Sequence, residues 1–160
     1  MAEIDGATVL TDPIFSQRCF PVQWAGPKRY RPPACTVEEL PEIVDAVVIS
    51  HTHYDHLDTN SVKQIHQRYK NQIHWFVPSG SRSWFESFGI LSDNIHDMVW
   101  WQSKVMPLCN GKPQNPTESG VAQIVFTPGN HFSRRGLLDH NKSLWGSWLV
   151  IGSKGNNLTS

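Results

Sequence analysis

Ala46 to Asp58, which reads Ala-Val-Val-Ile-Ser-His-Thr-His-Tyr-Asp-His-Leu-Asp, decides the fold of this 160-residue chain. The stretch opens on the apolar run Ala46–Ile49, a pattern typical of a buried strand. Three imidazoles and one carboxylate follow within the six residues from His51 to His56. The cluster therefore lies where a strand ends and a loop begins, a common place for chemistry on a rigid scaffold.

The spacing of these side chains predicts a metal site with room for two ions. His51 and His53 share a side of extended chain and can bind one ion, whereas Asp55 and His56 point elsewhere and can bind a second. Imidazole nitrogen and carboxylate oxygen suit zinc, or a neighbouring first-row metal such as iron or manganese. Two ions roughly 3.5–4 Å apart can hold an attacking and a leaving oxygen. The alternative is a chance cluster of histidines on a solvated loop.

A second strand ends in the same way. The apolar pattern over 121–126 predicts a strand, and His131 follows it in a loop. If the two strands lie in one core, His131 approaches His51 and His53. Three imidazoles on one ion leave a fourth position for water, which is the open arrangement of catalytic zinc sites. For His131 alone, a hydrogen-bonded loop histidine is the alternative.

Length and composition bound the class of protein. The chain is long enough for a single domain over residues 1–160, and its 14 basic and 14 acidic residues balance, without the basic stripe that nucleic-acid binding needs. No apolar stretch approaches the about 20 residues of a transmembrane helix, and no signal peptide is readable. The cysteines are odd in number and scattered, which favours reduced thiols inside a cell. They are Cys19, Cys35 and Cys109.

Strands alternate with helices along the chain, and this order predicts an α/β layered fold. We predict strands at 8–11, 45–49, 73–77, 98–101, 121–126 and 145–151, and long loops at 13–35 and 107–120. We predict a helix over 59–69 that Asp58 caps, a helix over 81–88 that Gly89 stops, and a short helix opened by the capping box Thr36-Val37-Glu38-Glu39. Asp58 has an alternative role, as a hydrogen-bond acceptor for a ligand imidazole.

Other notable side chains receive less specific assignments. We expect packing rather than ligation for His66 and His74, and we place His96 and His140 in loops without a partner pattern. A solvated pair is favoured for Arg134-Arg135 over a phosphate contact. The seven tryptophans favour core and sheet packing, and an apolar surface for lipid or a partner is the alternative.

Several stretches together resemble one family. His51 to Asp58, after a buried strand, is similar to the metal motif of the metallo-β-lactamase superfamily. Within that superfamily the chain resembles the N-acylphosphatidylethanolamine-hydrolysing phospholipases D, and the similarity extends to about residue 151. The stretches that carry it are 11–16, 26–29, 50–58, 127–128 with 131–135, and Asn-Lys-Ser-Leu-Trp-Gly-Ser-Trp at 141–148.

The resemblance implies a fold, a site and an activity. The fold is a four-layered αβ/βα sandwich with a two-zinc site at one edge. His51, His53 and His131 would hold one zinc, and Asp55 and His56 the other, with Asp55 also orienting or deprotonating the attacking water. The implied enzyme is a zinc-dependent phosphodiesterase that hydrolyses N-acylphosphatidylethanolamine to N-acylethanolamine and phosphatidic acid by attack of a metal-bound hydroxide. A phospholipid substrate, peripheral membrane contact and, in many members, a homodimer are also implied. Together with the cysteine pattern and the absence of a readable signal peptide, this predicts an intracellular location, cytoplasmic or peripheral on internal membranes.

The chain departs from the family pattern at both ends. A bridging Asp in an Asp-Thr-Gly-like motif and a final His have no counterpart before Ser160, and a Gly-His-Ala-type turn has none before Gly6. These departures predict a truncated chain that holds roughly the N-terminal half of the fold. A catalytically inactive metal-binding fragment is therefore one alternative to the phosphodiesterase. A hydrolase of another substrate, such as a sugar-phosphate lactone, is a second.

Overall fold

A layer of helices and two β-sheets pack on one another in three layers. The computed structural model describes residues 1–108, 120–136 and 138–152, so Cys109, most of the predicted loop at 107–120 and the chain after Gly152 lie outside the described residues. The described strands are β1 (Ala2–Ile4), β2 (Ala7–Thr11), β3 (Ala46–Val48), β4 (His74–Pro78), β5 (Ile95–Met98), β6 (Ser103–Pro107), β7 (Val121–Pro128) and β8 (Gly146–Gly152). The described α-helices are α1 (Thr59–Tyr69) and α2 (Arg82–Glu86), with 3₁₀ turns at Lys70–Gln72 and Ser92–Asn94.

The first sheet has the strand order β1-β2-β3-β4-β5. Strands β2 to β5 are parallel, in a register that pairs Val9 with Ala46 and Ala46 with His74, and β1 joins antiparallel. Because parallel strands end at the same edge, the loops after β2, β3 and β4 open side by side. The loop after β3, which carries the histidine motif, therefore lies between the loops after β2 and β4.

The second sheet is antiparallel, with β7 between β6 and β8. Side chains along β7 alternate in burial, so that Ala122, Ile124 and Phe126 face inward. These residues meet the first sheet in a shared core that also includes Val48 and Phe76. This packing brings the end of β7 towards the end of β3.

A second core lies between the first sheet and the helices. Val62, Ile65 and Tyr69 of α1 and Phe85 of α2 pack there against Trp75 of β4. The long connection between β2 and β3 also covers this core. Its residues Val37, Leu40 and Val44 are buried on the side of the first sheet where the crossover helix of a parallel strand pair usually lies.

The layered α/β fold is confirmed, and the described residues form three of the four layers that the resemblance implies. The predicted strands at 8–11, 45–49, 73–77, 121–126 and 145–151 and the helix at 59–69 are confirmed to within two residues, and the helix at 81–88 is shorter. None of the described helices is long and apolar enough to cross a bilayer.

Two local predictions differ from the structure, and one local feature was not predicted. The helix predicted from Thr36 is wrong: the Thr36 amide donates to Glu39 at 2.8 Å, as in a capping box, but Pro41 follows and only a turn forms. The strand predicted at 98–101 is wrong beyond Met98, because Trp101 has φ +68° and ends a turn. The hairpin of β1 and β2 was not predicted; Asp5 and Gly6, at φ +49° and +86°, make its two-residue turn.

Candidate metal centre

Two loops from different sheets meet at the carboxyl edge of β3. Gly146 at the start of β8 donates its amide to the Ser50 carbonyl at 3.0 Å. A Cβ at position 146 would lie 2.2 Å from the Thr127 carbonyl oxygen, so only glycine permits the close approach of β8 to β7 at this position. The loop after β3 and the loop after β7 are thereby held next to each other.

Three histidines converge between these loops. The Nε2 atom of His131 lies 2.9 Å from Nε2 of His51 and 3.3 Å from Nδ1 of His53. One ligand atom from each ring can be chosen so that all lie within 4.8 Å of one another, and among the described residues this is the only such group of three or more metal-ligating side chains. The convergence expected from the sequence is therefore present, although the two loops are about 80 residues apart.

The hydrogen bonds of Ser50 determine which nitrogen of His51 carries the proton. Ser50 Oγ donates its single proton to Asp12 Oδ2 at 2.6 Å, so it can only accept from His51 Nδ1, which lies 2.8 Å away. With the proton of His51 on Nδ1, the lone pair of Nε2 points at His131. A ligating histidine in proteins is usually oriented in this way, by a hydrogen bond from its other nitrogen.

Burial favours the neutral form of His51 and His53. It is the main reason that the pKa of His51 falls from 6.5 to about 4, and the neighbouring His56, His131 and His53 lower it further. Burial and His131 also lower the pKa of His53. Metal ions bind the unprotonated nitrogen of a neutral imidazole, so His51 and His53, with ring nitrogens directed at His131, fit a divalent metal ion.

Asp55 and His56 lie beside this group. The Asp55 carboxylate is 67% exposed, and its Oδ2 lies 3.7 Å from Nε2 of His56. His56 Nδ1 lies 2.8 Å from Asp12 Oδ2, and this hydrogen bond raises the pKa of His56 against the effect of burial. The bond leaves Nε2 of the neutral ring available next to Asp55, as a second ion would require.

Asp12 was not assigned a role from the sequence. Its carboxylate accepts from the Ser50 amide at 2.7 Å and the Ser50 hydroxyl at 2.6 Å, as well as contacting His56. Its position directly after β2, with a proline following, is the signal that was available. Parallel strands all end at the same edge of their sheet, so a polar residue directly after β2 is a candidate for the same site as the residues after β3.

Asp58 is confirmed as the N-cap of α1, and the alternative role was wrong. Its Oδ2 accepts from the Ser61 amide at 2.9 Å and from the hydroxyls of Ser61 and Ser16, both at 2.6 Å. These contacts tie the loop after β2 to the helix that follows the histidine motif. The acceptor for an imidazole is Asp12 instead.

Two further assignments need correction. His96 lies in β5, not in a loop, and its Nε2 is 3.0 Å from Nδ1 of His74. Arg135 is not a solvated residue, because its guanidinium is held between two aromatic rings. His66 lies in α1 and His140 stacks on Phe132, so neither joins the metal-ligating group.

Two adjoining clefts open next to His53. One, of about 420 Å³, is lined by Lys28, Arg29, Asp55 and Arg134 among others. The second, of about 410 Å³, is lined by Phe20 and both arginines of the 134–135 pair. Tyr54 contributes to both. The entrance to the histidines thus combines cationic and apolar side chains.

Residues 7–158 match the family model of the beta-lactamase superfamily domain, and the chain belongs to this superfamily. It is similar to N-acyl-phosphatidylethanolamine-hydrolyzing phospholipase D 1 of Caenorhabditis elegans, at 39% identity over 155 residues that cover 95% of this chain and 40% of that protein. The mitochondrial N-acyl-phosphatidylethanolamine-hydrolyzing phospholipase D of Saccharomyces cerevisiae is 35% identical over 146 residues, which cover 91% and 28%. The resemblance predicted from the sequence is confirmed. The chain spans 40% or less of the length of these relatives.

A solved structure shares the fold. CmlA, a diiron beta-hydroxylase from Streptomyces venezuelae, superimposes with a TM-score of 0.53 over 92% of this chain and 24% of that one. Sequence identity is 19%, so the likeness concerns the fold alone.

Proposed function

We propose that this chain carries the metal centre of a zinc-dependent phosphodiesterase that hydrolyses N-acylphosphatidylethanolamine to N-acylethanolamine and phosphatidic acid. The observation that carries the proposal is the convergence of His51, His53 and His131, with their nitrogens facing one another beside a cationic cleft. The similarity to two phospholipases of that specificity supports the choice of substrate.

His51, His53 and His131 would hold one ion, and Asp55 and His56 the second. A divalent cation at these residues supplies Lewis acidity for a phosphoryl oxygen and makes water more acidic. Within the chain, the Asp12 carboxylate keeps a proton on His56 Nδ1 and, through Ser50, on His51 Nδ1. In the neutral form of each ring, Nε2 is then the unprotonated nitrogen that can bind an ion.

Asp55 has the position of a proton acceptor. Its exposed carboxylate lines the larger cleft together with His53, where it can accept a hydrogen bond from water. In the reaction, water adds its oxygen to phosphorus, the bond from phosphorus to the ethanolamine oxygen breaks, and the departing oxygen takes a proton. No nucleophilic side chain is required.

The surroundings of the site suit an anionic amphiphile. Lys28 and Arg134 provide positive charge for a phosphodiester, and Phe20 and Tyr54 provide apolar surface for the start of an acyl chain. Trp24 and Tyr30, in the same long loop, are 84% and 97% exposed. Exposed aromatic side chains near a lipid-binding cleft support peripheral contact with a membrane. The implied homodimer stays a prediction.

Metal analysis and turnover test the proposal. We expect about one or two zinc ions per purified chain, a strong loss in His51→Ala, and no loss in the control His66→Ala on α1. Incubation with N-acylphosphatidylethanolamine vesicles and zinc should release N-acylethanolamine above the His51→Ala background, detected by mass spectrometry. Metal content equal in wild type and His51→Ala would overturn the metal centre. Metal binding without turnover would favour the inactive fragment.

A further inference from the structure

Arg135 contacts both ends of the histidine motif. Its Nη1 donates to the carbonyls of Leu57 at 2.6 Å and Thr52 at 3.2 Å, and its Nη2 donates to Thr59 Oγ1 at 2.9 Å. The residues between Thr52 and Leu57 include His53, Asp55 and His56. One planar guanidinium therefore closes the loop that carries three of the five proposed ligands.

Two aromatic rings hold the guanidinium in place. Its carbon lies 4.5 Å from the centre of the Tyr54 ring and 4.7 Å from that of Trp84. Tyr54 belongs to the motif loop and Trp84 to α2, so the contact also joins the loop to the helix layer. Cation–π contacts of a desolvated guanidinium add to its hydrogen bonds. Burial lowers the pKa of Arg135, and Tyr54 and Asp58 counteract that effect.

The other end of the same segment carries His131. Between the two, Ser133 is fully buried; its hydroxyl donates to the Ser143 carbonyl, and its own carbonyl accepts from the Asn141 amide at 2.8 Å. The short segment from His131 to Arg135 is thus anchored at its middle. Arg135 and His131 thus lie at the two ends of one short segment that is fixed to the fold at Ser133.

We propose that Arg135 is a positioning residue that sets the distance between His53 and His131, by joining the loop at 52–57 to the segment at 131–135. We call these contacts with Thr52, Leu57 and Thr59 the guanidinium clamp. The clamp uses the forked geometry of arginine, because three acceptors in different directions need several fixed donors. Lysine carries the same charge but cannot make the same set of bonds. The effect of the clamp on metal affinity rests on the proposed function, whereas its effect on the structure of the two segments does not.

Its neighbour Arg134 has a different environment. Arg134 is exposed, donates within its own loop to the Gly136 carbonyl at 2.9 Å, and lines both clefts. The two arginines of the pair therefore differ in their hydrogen bonds: Arg134 bonds within its own loop, whereas Arg135, which also lines the second cleft, bonds to the loop at 52–57 and to Thr59.

Arg68 offers a matched control for the clamp. Its guanidinium also donates to backbone carbonyls, those of Glu38 at 2.5 Å and Leu40 at 2.6 Å, and lies 5.4 Å from the centre of the Tyr69 ring. It joins the last turn of α1 to the turn after Thr36, at the opposite end of the helix from the histidine motif. Arg68→Lys thus removes the same type of contact at a distance from the proposed ligands.

Hydrogen exchange of the metal-free chain tests the clamp directly. The amides of His56 and Leu57 donate to the His53 carbonyl at 3.0 and 2.8 Å and report on the loop, and the Asn141 amide reports on the other segment. Arg135→Lys should speed exchange at all three by about tenfold or more, since local opening becomes easier. Arg68→Lys should leave them unchanged. Thr59→Val, which removes a single acceptor, should produce a smaller increase and serves if Arg135→Lys does not fold.

Cobalt binding provides the second readout. We expect Arg135→Lys to bind Co²⁺ about tenfold or more weakly than wild type and to change the visible d–d bands, whereas Arg68→Lys matches wild type. Equal exchange rates in wild type and Arg135→Lys, or the same rates in both lysine variants, would overturn the clamp. If wild type binds no metal, the proposed function fails, while the exchange rates still decide whether the clamp exists.

Discussion

A single carboxylate determines the proton positions on two of the proposed ligands. Asp12 accepts from the Ser50 hydroxyl and from His56 Nδ1, and Ser50 in turn accepts from His51. Asp12 has φ +40°, in the left-handed region that aspartate tolerates better than most residues. This backbone conformation directs the Asp12 carboxylate towards Ser50 and His56.

Replacing Asp12 with asparagine should weaken metal binding by about 10–100-fold. An amide nitrogen at the position of Oδ2 cannot accept from both Ser50 and His56, so both rings lose the bond that fixes their proton. Affinity can be measured by competition with a chromophoric chelator. Asp93→Asn, at an exposed position remote from the motif, is the control. Unchanged affinity in Asp12→Asn would remove Asp12 from the site.

Arg134 should act on substrate binding. Under the proposed function, Arg134→Gln should raise KM for N-acylphosphatidylethanolamine about tenfold and change kcat little, because a charged hydrogen bond to phosphate is lost in both ground and transition states. Arg31→Gln, at an exposed position outside both clefts, should behave as wild type. A fall in kcat with constant KM would assign Arg134 to the chemistry instead.

The sequence predicts some of these residues and not others. His51 and His53 follow from local spacing, and His131 follows from the end of a second apolar strand. Asp12 and Arg135 could not be ranked in this way, because their contacts reach residues 44 and 78 positions away. Those contacts form only when the strands and loops are assembled in the folded chain, so local sequence patterns do not predict them.

At the scale of elements, α1 depends on its N-cap residue, Asp58. Asp58 is buried and accepts three hydrogen bonds, from the Ser61 amide and from the hydroxyls of Ser61 and Ser16. We expect Asp58→Ala to lower the free energy of unfolding by about 2 kcal/mol or more, since an N-cap is lost and buried hydroxyls lose their acceptor. Urea denaturation measures the change. Glu86→Ala, at an exposed position of α2, should change stability little, and an equal effect there would contradict the cap argument.

The elements that the sequence predicted well are those with a clear period. In β7, more and less buried residues alternate over the first seven positions, and in α1 the buried residues recur at helical spacing. The failures have local causes. Pro41 prevents the capping box at Thr36 from leading into a helix. Val99 to Trp101 read as an apolar strand, but the Gln102 amide donates to the Val99 carbonyl at 3.1 Å and closes a turn there.

At the scale of the whole molecule, two histidines lie on the face of the first sheet that meets the second. The rings of His74 and His96 stack at 5.1 Å, and the latter also packs on Phe76 in the core between the sheets. Burial lowers the pKa of both histidines, and that of His96 falls from 6.5 to about 4, with Lys104 adding to the effect.

This pair should make the chain less stable in mild acid. Because the folded-state pKa of His96 lies below the unfolded value of 6.5, the unfolded chain binds the proton first. Stability is therefore fully present above pH 6.5 and declines as the pH falls towards 4, by at most about 1.4 kcal/mol per pH unit for one histidine. Urea denaturation of the metal-free chain between pH 7 and 4 should show a shallower decline for His96→Gln. Parallel curves for the two proteins would contradict this role.

Metal binding should stabilise the molecule as a whole, because the proposed ligands come from loops on both sheets. His51 and His53 follow β3, and His131 follows β7, so an ion bound between them links the two sheets only in the folded chain. A cation at 100 times its dissociation constant adds about 2.7 kcal/mol to the free energy of unfolding. Thermal unfolding with zinc and with EDTA should therefore differ clearly in wild type. His131→Ala should lose most of that difference, since it removes the ligand that joins the second sheet to the first. An equal zinc-dependent shift in His131→Ala would show that the stabilising ion binds elsewhere.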